Sequence, residues 1–155
     1  VLAERLRGTY KMLHLPDGLS QDSLHMLMTC EPQIKEIGDL ISRTDVLLFG
    51  IGTAMRMAEQ RHIADDVRKQ LVDNHAVGEA LGQYCDIDGK LIYSTNNIGL
   101  SLPDVAKIPN VIAVAGGQDK SSAIIGVMRA CQKGILIIDE QAAEGMRQLL
   151  QISAL

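Results

Sequence analysis

Tryptophan is absent from this chain of 155 residues, and one phenylalanine and three tyrosines are its only other aromatic residues. A platform that stacks nucleic-acid bases needs several aromatic side chains, so the sequence does not predict one. The chain has 15 basic against 19 acidic residues, a formal net charge of −4, and no basic run. Because contact with DNA or RNA phosphates relies on clustered lysine and arginine, the composition argues against nucleic-acid binding by this stretch itself.

Long apolar runs are also missing, and none approaches the roughly 20 residues that span a bilayer. No signal peptide is visible, and we expect no membrane contact. The three cysteines are scattered and include no CxxC pair, which predicts reduced thiols and a cytoplasmic protein. The four histidines have no metal-ligand spacing, so we predict neither a metal nor a cofactor. The length is sufficient for one domain with its own core.

Short apolar runs that end in glycine turns alternate with segments of helical periodicity. The runs Val46–Phe49, Val111–Ala115 and Ile135–Ile138 are typical of strands buried on both faces. This alternation predicts an α/β fold with a mostly parallel sheet and helices on both faces. An antiparallel hairpin is predicted at Ala76–Thr95, with its turn at Asp86–Gly89.

The first part of the chain shows a different pattern. Thr9–Leu15 alternates between polar and apolar residues and is predicted to be a strand, followed by a turn at Pro16–Gly18. Ser20 is placed to cap a helix over Gln21–Cys30, and Pro32 is placed to begin the next helix.

Two of the predicted strands end in glycine turns, Gly50–Thr53 and Gly116-Gly117. Ligands of open α/β sheets bind at the carboxyl ends of strands, where such turns gather. The second turn leads into a helix, whose free N–H groups can hold an anion. Lys120 falls in the first turn of that helix, where the dipole disfavours a cation unless an anion is bound. An ordinary loop with a solvated lysine would have the same sequence, because this is neither a P-loop nor GxGxxG.

Four longer motifs occur in order along the chain: GIG (Gly50–Gly52), AVGEALGQYCDIDGK (Ala76–Lys90), IGLSLPDVAKIPNVIAVAGGQDKSSAI (Ile98–Ile124) and IIDEQAA (Ile137–Ala143). Together they resemble the effector-binding domain of SorC-type bacterial transcriptional regulators, above all the branch that regulates glycolysis. The resemblance implies a fold similar to that of the phosphosugar isomerases and deaminases.

The resemblance also implies a function and a domain organisation. A phosphorylated sugar, fructose 1,6-bisphosphate or a related glycolytic intermediate, would bind at the strand ends and alter association within a homo-oligomer, a dimer or a tetramer. Operator DNA would be bound through an N-terminal helix-turn-helix domain. Residues 1–155 would form the C-terminal part of the effector domain, without that domain or the family's first phosphate loop. A phosphosugar isomerase or deaminase and a purely structural oligomerisation domain are the alternatives.

Lys120 and Glu79 are the two candidates whose side chains the sequence singles out most clearly. Lys120 matches the lysine after the family's glycine pair, which implies a phosphate ligand. Glu79 is a charged residue among small and apolar neighbours, and a buried carboxylate needs a partner. It could accept hydrogen bonds from sugar hydroxyls, or it could form a salt bridge with a neighbouring helix.

Further candidates lie on either side of these two. Arg61 could bind a phosphate through its guanidinium or could be a solvated residue at a helix end. Gln60 stands where the glycolytic branch is often basic, and it is a weaker ligand candidate. Asp139 and Glu140 could be a catalytic pair, although capping of a helix start is the simpler use. Four glycines are expected to let the backbone approach the ligand: Gly50, Gly52, Gly116 and Gly117.

Overall fold

Residues 2–16 and 18–151 are described by a computed structural model of the chain. The chain divides into two units. The smaller comprises the chain up to Arg43 together with Asn96–Ile98, and the larger comprises Thr44–Thr95 and the chain from Gly99 onward. The turn predicted at Pro16–Gly18 includes Asp17, which lies outside the described residues.

The smaller unit consists of helices within its described residues: α1 (Leu2–Arg5), α2 (Gln21–Cys30) and α3 (Pro32–Ser42). Ser20 is the N-cap of α2, and its side chain accepts the Ser23 N–H at 3.1 Å. The predicted helix starts at Gln21 and Pro32 are therefore confirmed. A capping side chain and a proline act within one turn of the chain, which is why the sequence alone identifies them.

The prediction of a strand at Thr9–Leu15 is wrong, because residues 8–16 form neither helix nor strand. An extended segment becomes a strand only when a neighbour satisfies its backbone N–H and C=O groups. The described residues of the smaller unit contain no strand that could pair with it. The alternation of polar and apolar residues was therefore not sufficient evidence for a strand.

The larger unit contains two sheets and the remaining helices. Its strands are β1 (Val46–Gly50), β2 (Gly52–Thr53), β3 (Gly78–Ala80), β4 (Gln83–Cys85), β5 (Leu91–Ser94), β6 (Asn110–Val114) and β7 (Ile135–Ile137). Its helices are α4 (Ala54–Gln60), α5 (Asp65–Asp73), α6 (Leu102–Val105), α7 (Ser121–Cys131) and α8 (Glu140–Leu149).

One sheet is parallel and has the strand order β1-β6-β7. Gly50 pairs with Val114, and Val114 pairs with Ile137, so the three carboxyl ends lie side by side. Phe49 and Ala113 pack against α6, α7 and α8 in the main hydrophobic core. The predicted α/β class with a parallel sheet is confirmed.

The opposite face of this sheet carries apolar side chains that are 41% to 64% exposed: Val46, Leu48, Val114, Ile135 and Ile137. The prediction that these strands are buried on both faces is therefore wrong for the described residues. The connections β1 to β6 and β6 to β7 step in the same direction across the sheet. Since parallel crossovers are right-handed, both connections lie on the same face, and the helices expected on the second face are not in these crossovers.

The second sheet is antiparallel, with the order β2-β3-β4-β5. The single hairpin predicted at Ala76–Thr95 is a three-stranded meander, because the chain also turns at Leu81-Gly82, where both φ angles are positive (55° and 77°). The predicted turn at Asp86–Gly89 is present between β4 and β5. Gly52-Thr53, predicted as part of a turn, is the edge strand of this sheet. It pairs with β3 and places Gly52 opposite Glu79.

Candidate functional site

A cavity of about 520 Å³ opens in the larger unit where β1 and β6 end. Its walls come from the end of β1, from β2, from one side of α4, from β3 and from the residue that precedes α7. The lining residues are Phe49, Gly50, Ile51, Gly52, Thr53, Arg56, Met57, Gln60, Arg61, Glu79, Leu81, Val114 and Lys120. The location is the carboxyl edge of the parallel sheet, where the sequence predicted a ligand.

Six of the eight predicted site residues lie on this cavity: Gly50, Gly52, Gln60, Arg61, Glu79 and Lys120. They come from four separate segments of the chain, and the pairing of β2 with β3 brings two of these segments together. Their role in ligand binding stays a prediction, and their proximity is a result of the fold.

Lys120 is the last residue of a short 3₁₀ helix, Gln118–Lys120, that leads into α7. It is half-buried, and its Nζ donates a hydrogen bond to the carbonyl oxygen of Ile51 at 3.1 Å. The side chain is thus held against the end of β1 instead of extending into solvent. An ammonium group has three donors, so two remain for an anion in the cavity.

Glu79 lies in β3 and is only 3% exposed. Its Oε1 accepts the Gly82 N–H at 2.7 Å and faces Nη2 of Arg61 at 3.3 Å. Burial raises the pKa of this carboxyl, and the Arg61 charge and the Gly82 hydrogen bond lower the pKa by less. Glu79 thus forms the predicted salt bridge with a helix end, through Arg61 at the end of α4. The binding of sugar hydroxyls by Glu79 stays a prediction, and Oε2 is the oxygen that would accept their hydrogen bonds.

Arg61 directly follows α4, and its side chain is 31% exposed. Its Nε is buried and has no hydrogen-bond partner within the described part of the chain. A buried N–H without a partner is costly, and an anion in the cavity would provide one. This observation favours the ligand role of Arg61 over that of a solvated helix-end arginine.

Arg56 and Met57 also line the cavity, and neither was predicted from the sequence. Arg56 and Met57 stand four and three residues before Gln60 in α4, which is the spacing of neighbours on a helix surface. That spacing was the signal that could have identified them once the helix was known to border a site. With Arg61 and Lys120, Arg56 gives the cavity three basic side chains against one carboxylate, Glu79.

Gly116 and Gly117, the other two predicted site residues, are not among the residues that line the cavity. The Gly117 N–H donates to both carboxylate oxygens of Asp139, to Oδ2 at 2.9 Å and to Oδ1 at 3.1 Å. A Cβ added at Gly116 would lie 2.6 Å from Oδ2 of Asp139. Asp139 also caps α8, since its Oδ1 accepts the Ala142 N–H at 2.8 Å. These hydrogen bonds lower the pKa of Asp139. The predicted capping role is confirmed, and this glycine turn already binds an anion from the chain itself.

The described ranges 2–16 and 18–151 lack two other kinds of feature. No helix there has the length and apolar character needed to cross a membrane. No three His, Cys, Asp or Glu side chains there are grouped so that they could hold a metal ion.

An α/β sheet with a cationic cavity at the carboxyl ends of its strands defines a small-molecule-binding domain with the chemistry to take an anion. Comparison with known proteins agrees with this class. The family model described as "Putative sugar-binding domain" matches residues 1–148. The chain therefore belongs to this family of sugar-binding domains.

The relatives are bacterial transcriptional regulators. The chain is 37% identical over 143 residues to the central glycolytic genes regulator of Bacillus subtilis, covering 92% of this chain and 42% of that protein. A "putative SorC family transcriptional regulator" from Enterococcus faecalis has a crystal structure with 37% identity and a TM-score of 0.85, covering 94% of this chain and 59% of that one. The chain thus spans less than half the length of the curated glycolytic regulator.

The same fold occurs in more distant proteins. The full-length sorbitol operon regulator SorC of Klebsiella pneumoniae has 22% identity and a TM-score of 0.76, over 93% of this chain and 47% of that one. At this identity the likeness concerns the fold alone. The resemblance to SorC-type regulators that the sequence motifs indicated is confirmed.

Proposed function

We propose that this chain is the effector-binding domain of a transcriptional regulator and that its effector is a phosphorylated sugar. Fructose 1,6-bisphosphate or a related glycolytic intermediate is the first candidate, in view of the glycolytic regulator among the relatives. The observation that carries the proposal is the cavity at the strand ends, which combines three basic side chains with one buried carboxylate.

Each part of a phosphosugar has a complementary group in this cavity. A phosphate accepts charge-assisted hydrogen bonds, which Lys120 Nζ and the guanidinium of Arg61 can donate. Sugar hydroxyls donate hydrogen bonds, which the carboxylate of Glu79 can accept. The amide of Gln60 can do either and carries no charge. Gly50 lets the ligand approach the backbone of β1 closely, whereas the space beside Gly52 is occupied by the side chain of Met57.

Regulation would follow from unequal affinity of the sugar for two assembly states of a homo-oligomer, a dimer or a tetramer. Operator DNA would be bound by a separate N-terminal helix-turn-helix domain of the complete protein in the cytoplasm. The negative net charge and the absence of a basic run in this sequence support that division of labour.

We further propose that the apolar outer face of the parallel sheet is covered by an earlier part of the complete effector domain. Strands added at the free edge of β1 would extend the sheet in the direction opposite to β6 and β7. Right-handed crossovers between those strands would then place their helices on the second face of the sheet. The carboxyl end of β1 would become the point of reversal, and ligands bind at such points. The same segment would contribute the first phosphate loop.

A sugar isomerase or deaminase needs an acid and a base that converge on the sugar carbons. Among the described residues that line the cavity, Glu79 is the one carboxylate, and Asp139 is engaged in capping α8. The cavity therefore suits a regulator better than an enzyme.

A thermal-shift screen of the complete protein against glycolytic phosphosugars tests the proposal. A ligand that binds only the native state stabilises it by about 2.7 kcal/mol at a concentration of 100 times its Kd. We expect a saturable rise in Tm with fructose 1,6-bisphosphate or a close relative and no turnover of ribose 5-phosphate or glucosamine 6-phosphate. If no phosphosugar raises Tm, or if either substrate is converted, the proposal is wrong.

A further inference from the structure

Three basic side chains in one cavity create a selectivity problem. Arg56, Arg61 and Lys120 attract any small anion, and the phosphate group of a sugar presents the same charged oxygens as inorganic phosphate. Binding by these cations alone would therefore not distinguish an effector from free phosphate. Specificity between two ligands requires an element that is unfavourable to the wrong one.

Glu79 is placed to supply that element. Its side chain is 4% exposed and lies on the cavity wall, where water cannot fully screen its charge. The Gly82 N–H holds Oε1 at 2.7 Å through the Leu81-Gly82 turn, and Arg61 Nη2 lies 3.3 Å from the same oxygen. The carboxylate is thus fixed in position by the backbone of its own meander.

The second carboxylate oxygen lies beside a residue without a side chain. Gly52 is the strand partner of Glu79, and a Cβ built there would lie 3.9 Å from Oε2. The same Cβ would lie 2.4 Å from Cγ of Met57, so a thioether chain occupies the space beside this glycine. The strand partner of Glu79 therefore offers Oε2 no polar side chain, which leaves its negative charge effective at the cavity.

We propose that Glu79 makes this cavity selective for phosphosugars over inorganic phosphate. Its negative charge opposes the entry of a bare anion, and the hydroxyl groups of a phosphosugar offset that repulsion by donating hydrogen bonds to Oε2. Arg61 is thereby partly neutralised by Glu79 until an effector arrives. The inference rests on the proposed function, because it takes a phosphosugar as the effector.

The test is isothermal titration of the complete protein and its Glu79→Gln variant with inorganic phosphate and with fructose 1,6-bisphosphate. Glutamine keeps the shape and an oxygen for the Gly82 N–H but loses the charge. We expect inorganic phosphate to bind about fivefold more tightly, because a like charge is removed. We expect fructose 1,6-bisphosphate to bind about tenfold more weakly, because hydrogen bonds to a charged acceptor are lost.

Glu140→Gln is the matched control, since it makes the same charge change at an exposed residue of α8 and should leave both affinities unchanged. If the wild type does not bind any phosphosugar, the proposed function fails and the inference fails with it. If the wild type binds fructose 1,6-bisphosphate but Glu79→Gln weakens or leaves unchanged the binding of inorganic phosphate, the inference alone is overturned.

A second variant keeps the inference testable if Glu79→Gln does not fold. Arg61→Gln leaves the carboxylate in place and removes the cation that partly neutralises it. Inorganic phosphate should then lose more affinity than fructose 1,6-bisphosphate, because the sugar retains its hydrogen bonds to Glu79. An equal loss for both ligands would contradict the selectivity role.

Discussion

Replacement of Lys120 by methionine removes two interactions of this side chain that can be measured separately. The first is the hydrogen bond from Nζ to the Ile51 carbonyl, which is present at 3.1 Å without any ligand. The second is the contact that we propose with the phosphate of the effector. Methionine has a similar length and is compatible with a half-buried position, so the variant should fold.

The magnitudes of the two effects differ. Loss of the hydrogen bond to Ile51 should lower the free energy of unfolding by about 0.5–1.5 kcal/mol, because the carbonyl borders a cavity that water can enter. For a domain of this size, 1 kcal/mol corresponds to a decrease in Tm of about 2–4 °C. Loss of a charge-assisted contact with phosphate should cost roughly 1.5–3 kcal/mol of binding free energy. That cost is about a tenfold to hundredfold rise in Kd.

Isothermal titration with fructose 1,6-bisphosphate and thermal unfolding of the ligand-free protein measure the two effects independently. Lys69→Met, on the exposed surface of α5, is the matched control and should change neither quantity appreciably. An unchanged Kd for Lys120→Met together with a normal Kd for the control would refute the assignment of Lys120 as a phosphate ligand. A loss of stability far above 1.5 kcal/mol would show that its role is mainly structural.

Two further predictions concern packing and thiol chemistry. Gly78→Ala should destabilise the protein by about 1–3 kcal/mol in urea unfolding, because the added Cβ would lie 2.7 Å from a backbone oxygen of α7. Gly50→Ala, whose Cβ would have its nearest atom at 3.9 Å, should lower the free energy of unfolding far less. Equal losses of stability in the two variants would contradict this reasoning. A thiol reagent at pH 8 should label the exposed Cys30 in the native protein and should reach Cys85 and Cys131 only after denaturation. The reason is that burial raises the pKa of Cys85 to about 12 and the pKa of Cys131 to about 11. Rapid labelling of all three thiols in the native protein would contradict the burial of Cys85 and Cys131.

The sequence by itself determined those features that act over short distances along the chain. Ser20 and Asp139 are recognisable as N-caps because a capping side chain bonds to a backbone N–H two or three residues away. The order of strands and helices follows from apolar periodicity within each segment. The motifs from Gly50 to Ala143 also indicated the family, because the types and order of their residues can be compared with those of the family without any structure.

Only the tertiary structure decided which distant residues share the cavity and what holds them. Gly52 belongs to a strand because β3 lies beside it, and that pairing sets Glu79 opposite a glycine and near Arg61. The Gly116-Gly117 turn has the local pattern of an anion site, yet the fold brings the Asp139 carboxylate to it. Hydrogen bonds between segments far apart in sequence depend on how the chain closes in space, and no local pattern of residues specifies that closure.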